Sequence, residues 1–346
     1  MYYPEKINLN NPRAIREVRD WLARHFHLNY GPDAQATYVV RGEEELIATA
    51  SRSGNVFKYF GIHPDHQGEN LTSILLGALL DDAFAQGIYH YFIFTSPASR
   101  PLFQAAGFQL VMENEYAALL ESGNRDINSY LGELRQELGE PAGTRGAIVM
   151  NLNPMTLGHL YLIETARRQV DELIIFLVEE DLSLVPFRDR LAIAREAVRD
   201  LPGVKVLPGG PYIISQATFP TYFLKRMDDE LAAYTTTDAG IFANYYARQL
   251  GITHRFVGEE PLDPVTGAYN EALARELGKT GIAFSIIPRV EAEGGVISAS
   301  RVRRHLARDE YEQAFRLVPP ATRRYLESTA GADLITKIKA EEANIK

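Results

Sequence analysis

Two folds are predicted in tandem: an α+β domain with a mostly antiparallel sheet, then a doubly wound α/β domain. Three observations predict them. The strand-length apolar runs Ala36 to Val40, Leu46 to Ala50 and Val56 to Ile62 follow one another with only turns between them. After residue 145 strand-like and helix-like segments alternate, and Leu173 to Val178 is continuously apolar, as in a parallel strand buried on both faces. Between these regions, residues 121–145 turn polar, flanked by Glu121-Ser-Gly-Asn-Arg and Gly139-Glu-Pro-Ala-Gly-Thr.

Composition bounds the answer. The chain has 346 residues, 46% of them hydrophobic and 23% charged, which suits two soluble domains. A net charge of −9 gives no overall attraction for polyanions, so nucleic acid is not an expected partner. There are no cysteines, which removes disulfides, thiolate metal sites and a cysteine nucleophile together. No apolar run reaches membrane-spanning length, and Met1-Tyr-Tyr-Pro-Glu-Lys6 lacks a signal-peptide core. The expected location is the cytoplasm, with no membrane contact.

The elements follow in order. Ile15, Val18, Trp21, Leu22 and Phe26 fall at helical spacing, predicting a helix over 12–29. After the three strands come a helix over 71–86, an aromatic strand over 89–94 and a short helix over 101–106, closed by Gly107. The first domain is set at 1–130, a linker containing a short helical segment at 131–145, and the second domain at 146–346. In the second domain strands are predicted at 146–151, 173–178, 204–207, 254–258 and 283–287. Helices are predicted at 156–168, 187–200, 239–250 and 270–277, and beyond Ser298 come helices broken at Pro319-Pro320.

The strand Ala147 to Met150 runs through Asn151-Leu-Asn153-Pro-Met-Thr156-Leu-Gly158-His159 into a helix. A helix N-terminus offers unpaired N–H groups and the positive end of its dipole, so it attracts phosphate. Gly158 removes a side chain, Thr156 offers a hydroxyl and His159 an imidazole donor. Alone, Thr156 reads equally well as an N-cap and His159 as a surface histidine. Ile297-Ser298-Ala-Ser300-Arg-Val-Arg303 is a second helix start that gathers hydroxyls and cations, and Phe187-Arg-Asp-Arg190 adds positive charge at a third. His63, His66 and His90 lack trustworthy metal spacing, and no metal-ligand set is assigned. Glu259, beside Gly258, is open to a solvated role or to a ribose or Mg²⁺-water contact.

Thr156-Leu-Gly-His159 resembles the (His/Thr)-x-Gly-His motif of the nucleotidyltransferase superfamily, and 297–303 resembles its Ile-Ser-Ser-Thr-x-x-Arg motif. Within it the chain is similar to the citrate lyase ligase family, through 146–154, Tyr212 to Pro220 and His254 to Pro261. The resemblance implies a Rossmann-like nucleotidyltransferase fold that uses ATP and Mg²⁺. It implies that acetate is adenylated and its acetyl group passed to a prosthetic-group thiol on the acyl carrier subunit of citrate lyase. It further implies Thr156, His159 and Arg303 as catalytic residues, with Asn151, Asn153, Gly158, Arg190, Gly258, Glu259, Ser298 and Ser300 around ATP. Ser215 and Lys225 are weaker candidates for acetate or the thiol.

In the amino half, Gln67-Gly68-Glu-Asn70-Leu-Thr72 resembles the (Gln/Arg)-x-x-Gly-x-(Gly/Ala) loop of Gcn5-related acetyltransferases, and Leu102 to Phe108 resembles a later element of that fold. The resemblance implies a loop for an acyl- or CoA-like group. Asn70 and Thr72 depart from it, although asparagine tolerates positive φ. Two other readings stay open: a bifunctional N-acetyltransferase and adenylyltransferase that makes a nucleotide cofactor, and an amino domain that only docks a partner.

Overall fold

A computed structural model describes residues 2–43, 45–179, 183–213, 219, 229–259, 264–292 and 295–344. Contacts divide the chain into two units, residues 1–130 with 220–237 and residues 131–219 with 238–346. The region expected as a linker, 131–145, belongs to the second unit.

The first unit is built on β1 (Glu5–Lys6), α1 (Pro12–Phe26), β2 (Ala36–Arg41), β3 (Leu46–Ser53), β4 (Val56–Ile62), α2 (Leu71–Ala85), β5 (His90–Thr95), α3 (Arg100–Ala105), β6 (Gln109–Glu113) and β7 (Ala118–Gly123). The sheet order is β1-β2-β3-β4-β5-β7-β6. Its pairings are antiparallel except β4–β5, which run parallel only through Val56↔Phe92 and Phe57↔Ile93. The Asn11 side chain caps α1 by accepting from the Arg13 N–H, and Pro12 starts it. The helix stops at Phe26, short of the predicted end, because His27 turns left-handed at φ 57°. Val18, Trp21 and Leu22 bury its inner face, while Leu71, Leu75 and Leu79 do the same for α2.

The chain leaves the first sheet through α4 (Ile127–Leu138) and enters β8 (Arg145–Met150), α5 (Leu157–Arg167), β9 (Glu172–Leu177), α6 (Phe187–Ala197) and β10 (Val204–Pro208). Next come α7 (Asp229–Ile241), a π-helical turn over 242–247, α8 (Arg248–Leu250), β11 (His254–Gly258), α9 (Pro264–Gly278) and β12 (Ala283–Ile287). A small hairpin, β13 (Glu291–Ala292) and β14 (Gly295–Val296), leads to α10 (Ala299–Ala307), α11 (Tyr311–Phe315), α12 (Pro320–Leu326) and α13 (Thr329–Asn344). The five strands are all parallel, in the order β10-β9-β8-β11-β12. The order reverses at β8, so a crevice opens beyond the carboxyl ends of β8 and β11, where sheets of this kind bind ligands. Leu173, Ile174, Ile175, Phe176 and Leu177 are all buried, as two-sided burial of β9 requires.

Candidate active site

The loop after β8 turns sharply: Leu152 has φ 58° and the Asn153–Pro154 peptide is cis. Thr156 then caps α5. Its Oγ1 accepts from the His159 N–H at 3.3 Å, and its own backbone N–H donates to His159 Nδ1 at 3.0 Å. Since Nδ1 accepts from a backbone N–H, the ring proton sits on Nε2. Burial, with the charge of Arg289 added, lowers the His159 pKa to about 4. His159 is therefore a neutral imidazole with one donor left to offer. Thr156 itself is 1% exposed. Its hydroxyl and amide both serve His159, which makes it a support for that ring and corrects its expected contact with phosphate.

Other N–H groups of α5 are partly spent inside the protein. Leu157 donates to the Leu317 carbonyl at 2.9 Å, and the Thr322 hydroxyl fixes the Met155 carbonyl at 3.0 Å. A Cβ on Gly158 would meet the Ile297 carbonyl at 2.8 Å. The glycine thus lets the two motif segments, 156–159 and 297–301, pack against each other.

These segments share a cavity of about 800 Å³. Asn151, Gly158, His159, Gly258, Ser298 and Ser300 line it, together with Arg289, Arg301 and Arg304. Ser298 caps α10 by accepting from the Arg301 N–H at 3.1 Å. Arg289 Nε donates to the Glu259 carbonyl at 2.6 Å, and Arg301 reaches the Gly295 carbonyl at 3.0 Å. Burial lowers the Arg289 pKa, with the Glu259 carboxylate opposing it, so an anion entering the cavity would relieve a real desolvation cost. The three cavity arginines were not singled out from sequence. Arg301 lay inside the quoted motif, whereas Arg289 reaches the cavity only through the pairing of β12 with β11.

Three expected ATP contacts and one expected catalytic residue, Arg303, stand elsewhere. Arg190 is fully buried and off the lining, a correction with a clear cause. It donates to the carbonyls of Val185 at 3.0 Å, Asn151 at 2.8 Å and Val178 at 2.8 Å, and to Asn151 Oδ1 at 2.6 Å. It therefore stitches the strand ends and orients Asn151. Asn153 accepts the Val185 N–H on its side chain at 3.0 Å, while its carbonyl receives Arg303. Arg303 is consequently turned to the loop and to Ser300 Oγ, outside the cavity lining. Glu259 is exposed and contributes its carbonyl, not its carboxylate, to holding Arg289. Ser215 and Lys225 lie outside the described residues.

In the first unit, Gln67, Gly68 and Asn70 form an exposed loop before α2. Gly68 has φ 88° and Asn70 φ 61°, so asparagine does keep the left-handed turn. Thr72 is 7% exposed and faces the core, so it is not a loop ligand. Glu69 occupies the same loop. Tyr2 donates to it at 2.6 Å and His66 Nδ1 lies at 3.0 Å, and these contacts hold its carboxyl below the ordinary range. Glu69 thus stands in the loop as an exposed carboxylate held by Tyr2 and His66.

Comparison with known proteins agrees with both sheets. Residues 145–326 match the family model of the citrate lyase ligase C-terminal domain, and residues 5–108 match that of the acetyltransferase (GNAT) family. The chain is 35% identical over 334 residues to the [citrate [pro-3S]-lyase] ligase of Klebsiella pneumoniae, covering 95% of this chain and 97% of that protein. It is 36% identical over 304 residues to the protein of the same name from Haemophilus influenzae, covering 85% and 90%. With that of Escherichia coli (strain K12) it shares 35% over 329 residues, covering 93% of each. Matches of this extent span both units, and the chain belongs to the citrate lyase ligase family.

Proposed function

We propose that this ligase adenylates acetate with ATP in the cavity between β8, β11 and α10, then passes the acetyl group to a thiol on the acyl carrier subunit of citrate lyase. The observation that carries the reading is the neutral His159, with Nε2–H as its remaining donor, lining the same cavity as three arginines. Relatives named as ligases of citrate lyase supply the acceptor.

In the first step an acetate oxygen attacks the α-phosphorus of ATP. A C–O–P linkage forms, the bond to the β-phosphate oxygen breaks, and pyrophosphate leaves. The protein need only align the reactants and neutralise the charge that grows on the phosphates. In this reading His159 Nε2–H donates to a phosphate oxygen and keeps its proton. Arg289, Arg301 and Arg304 face the polyphosphate, with Ser298 and Ser300 beside the leaving group. Gly158 lets the two motif segments meet at the cavity, Gly258 lines it, and Asn151, held by Arg190, supplies a polar group there. Arg303 and Asn153 fix the loop that carries Thr156. Mg²⁺ bound with ATP would supply further positive charge against that growing on the phosphates. In the second step the thiol sulfur attacks the acetyl carbon, AMP leaves, and the thiol proton passes to solvent. A cytoplasmic setting, where a free thiol persists, suits this chemistry.

A second reading rests on the acetyltransferase family match of residues 5–108: a bifunctional acetyl and adenylyl transferase. The match of residues 145–326 to the citrate lyase ligase C-terminal domain and the relatives named as ligases weigh against it. Pyrophosphate release measured with ATP and a panel of short acids separates the two. Acetate-dependent release supports the ligase. Release that needs a phosphorylated nucleotide-cofactor precursor in place of an acid, together with binding of acetyl-CoA to the full chain, supports the bifunctional enzyme.

A further inference from the structure

The outer face of α1 carries Arg13, Arg16, Arg19 and Arg24, all exposed. Among the described residues none of the four is in an ion pair. The carboxylates on the same helix do not balance them. Glu17 is engaged by both terminal nitrogens of Arg41, at 2.6 and 2.9 Å, leaving Asp20 alone against four guanidiniums. This concentration of positive charge stands in a chain of net charge −9. The inner face of α1 is fully committed to the core through Val18, Trp21 and Leu22, so the arginines are not needed for folding. Isolated surface arginines add little to stability, but clustered ones shape the field that a charged partner meets.

We propose that the exposed face of α1 docks an acidic surface of the acyl carrier subunit that accepts the acetyl group; this rests on the ligase reading above. The face speeds encounter with the carrier. Charge steering of this kind acts mainly on association and weakens with salt.

The test is the full-length triple variant R13E/R16E/R24E, compared with the unmodified protein and with the milder R13Q/R16Q/R24Q. Acetate-dependent ATP–pyrophosphate exchange reports adenylation and folding, and it is expected to stay within about two-fold in both variants, since these residues are outside the cavity. Acetylation of deacetylated citrate lyase reports docking. Its kcat/KM is expected to fall about 10-fold or more in the Glu variant and less in the Gln variant, and its dependence on salt is expected to flatten. Wild-type kcat/KM and salt dependence in the Glu variant would overturn the proposal. So would wild-type transfer combined with lost binding to phosphatidylserine vesicles, which would assign the face to a membrane. Absence of acetate-dependent exchange in the unmodified protein would instead remove the ligase reading.

Discussion

Thr156 and His159 hold each other: the Thr156 N–H donates to His159 Nδ1 at 3.0 Å, while Thr156 Oγ1 accepts the His159 N–H at 3.3 Å. The pair closes the first turn of α5 and leaves Nε2–H as the donor of a neutral ring. Replacing His159 by alanine is expected to lower acetate-dependent exchange about 10²–10³-fold, the loss typical of one charge-stabilising donor. Circular dichroism should show an unchanged fold. Near-normal exchange would contradict the role given to His159.

Thr156→Ala removes the cap hydroxyl but keeps the backbone N–H. A stability loss of about 1–2 kcal/mol is expected from urea unfolding, the usual cost of a lost cap. Exchange should fall less than in His159→Ala, because Nδ1 keeps its backbone donor. Thr156→Ser should restore both.

Acid stability follows from the lowered His159 pKa. The folded value is about 4 against 6.5 for the unfolded chain. As pH falls through 6.5 the unfolded state takes up the proton first, so stability declines between pH 6.5 and 4 and this contribution levels off below. The effect is on the order of 1–3 kcal/mol, reduced because the ring is only part-buried. His159→Gln should remove that portion of the pH dependence, which thermal unfolding across this range would reveal. Above pH 6.5 the histidine should contribute no slope.

Gly158→Ala places a methyl 2.8 Å from the Ile297 carbonyl. Relief requires the two motif segments to separate. Exchange is expected to drop at least about 10-fold, with a stability loss of roughly 1–3 kcal/mol by calorimetry. A fully active Gly158→Ala protein would show that the segments need not touch.

Arg190→Met should destabilise by about 2–4 kcal/mol in urea, since several buried carbonyls lose a charged donor. Arg190→Lys should recover little, lacking the planar fork that reaches Val178, Val185 and Asn151 together. Arg289→Ala is expected to raise the KM for ATP and lower exchange with stability nearly unchanged, distinguishing a cavity cation from a structural one.

How much of this was legible in the sequence depended on how local each cause was. The Thr156–His159 turn and the Ser298 start of α10 were readable because helix caps are set by neighbours within four residues. Arg190 misled because an arginine in a first helical turn looks solvated, whereas its burial is set by carbonyls on three other segments. Arg289 went unread because its place beside His159 depends on β12 lying next to β11, a pairing of distant strands. The segment beginning Glu121-Ser-Gly123 read as the start of a polar connection, yet it completes β7. Glu121 is buried there, with His90 at 2.8 Å and the Ile127 N–H on its other oxygen at 3.0 Å. A paired buried acid and a solvated one look alike in sequence. The left-handed His27 that ends α1 early is equally silent there.

The central claim is the adenylation of acetate, and ATP–pyrophosphate exchange tests it most directly. The purified full-length protein with ATP, Mg²⁺ and labelled pyrophosphate should form labelled ATP only when acetate is added, without citrate lyase or any thiol present. Exchange that ignores acetate, or that appears only with a phosphorylated nucleotide-cofactor precursor, would contradict it.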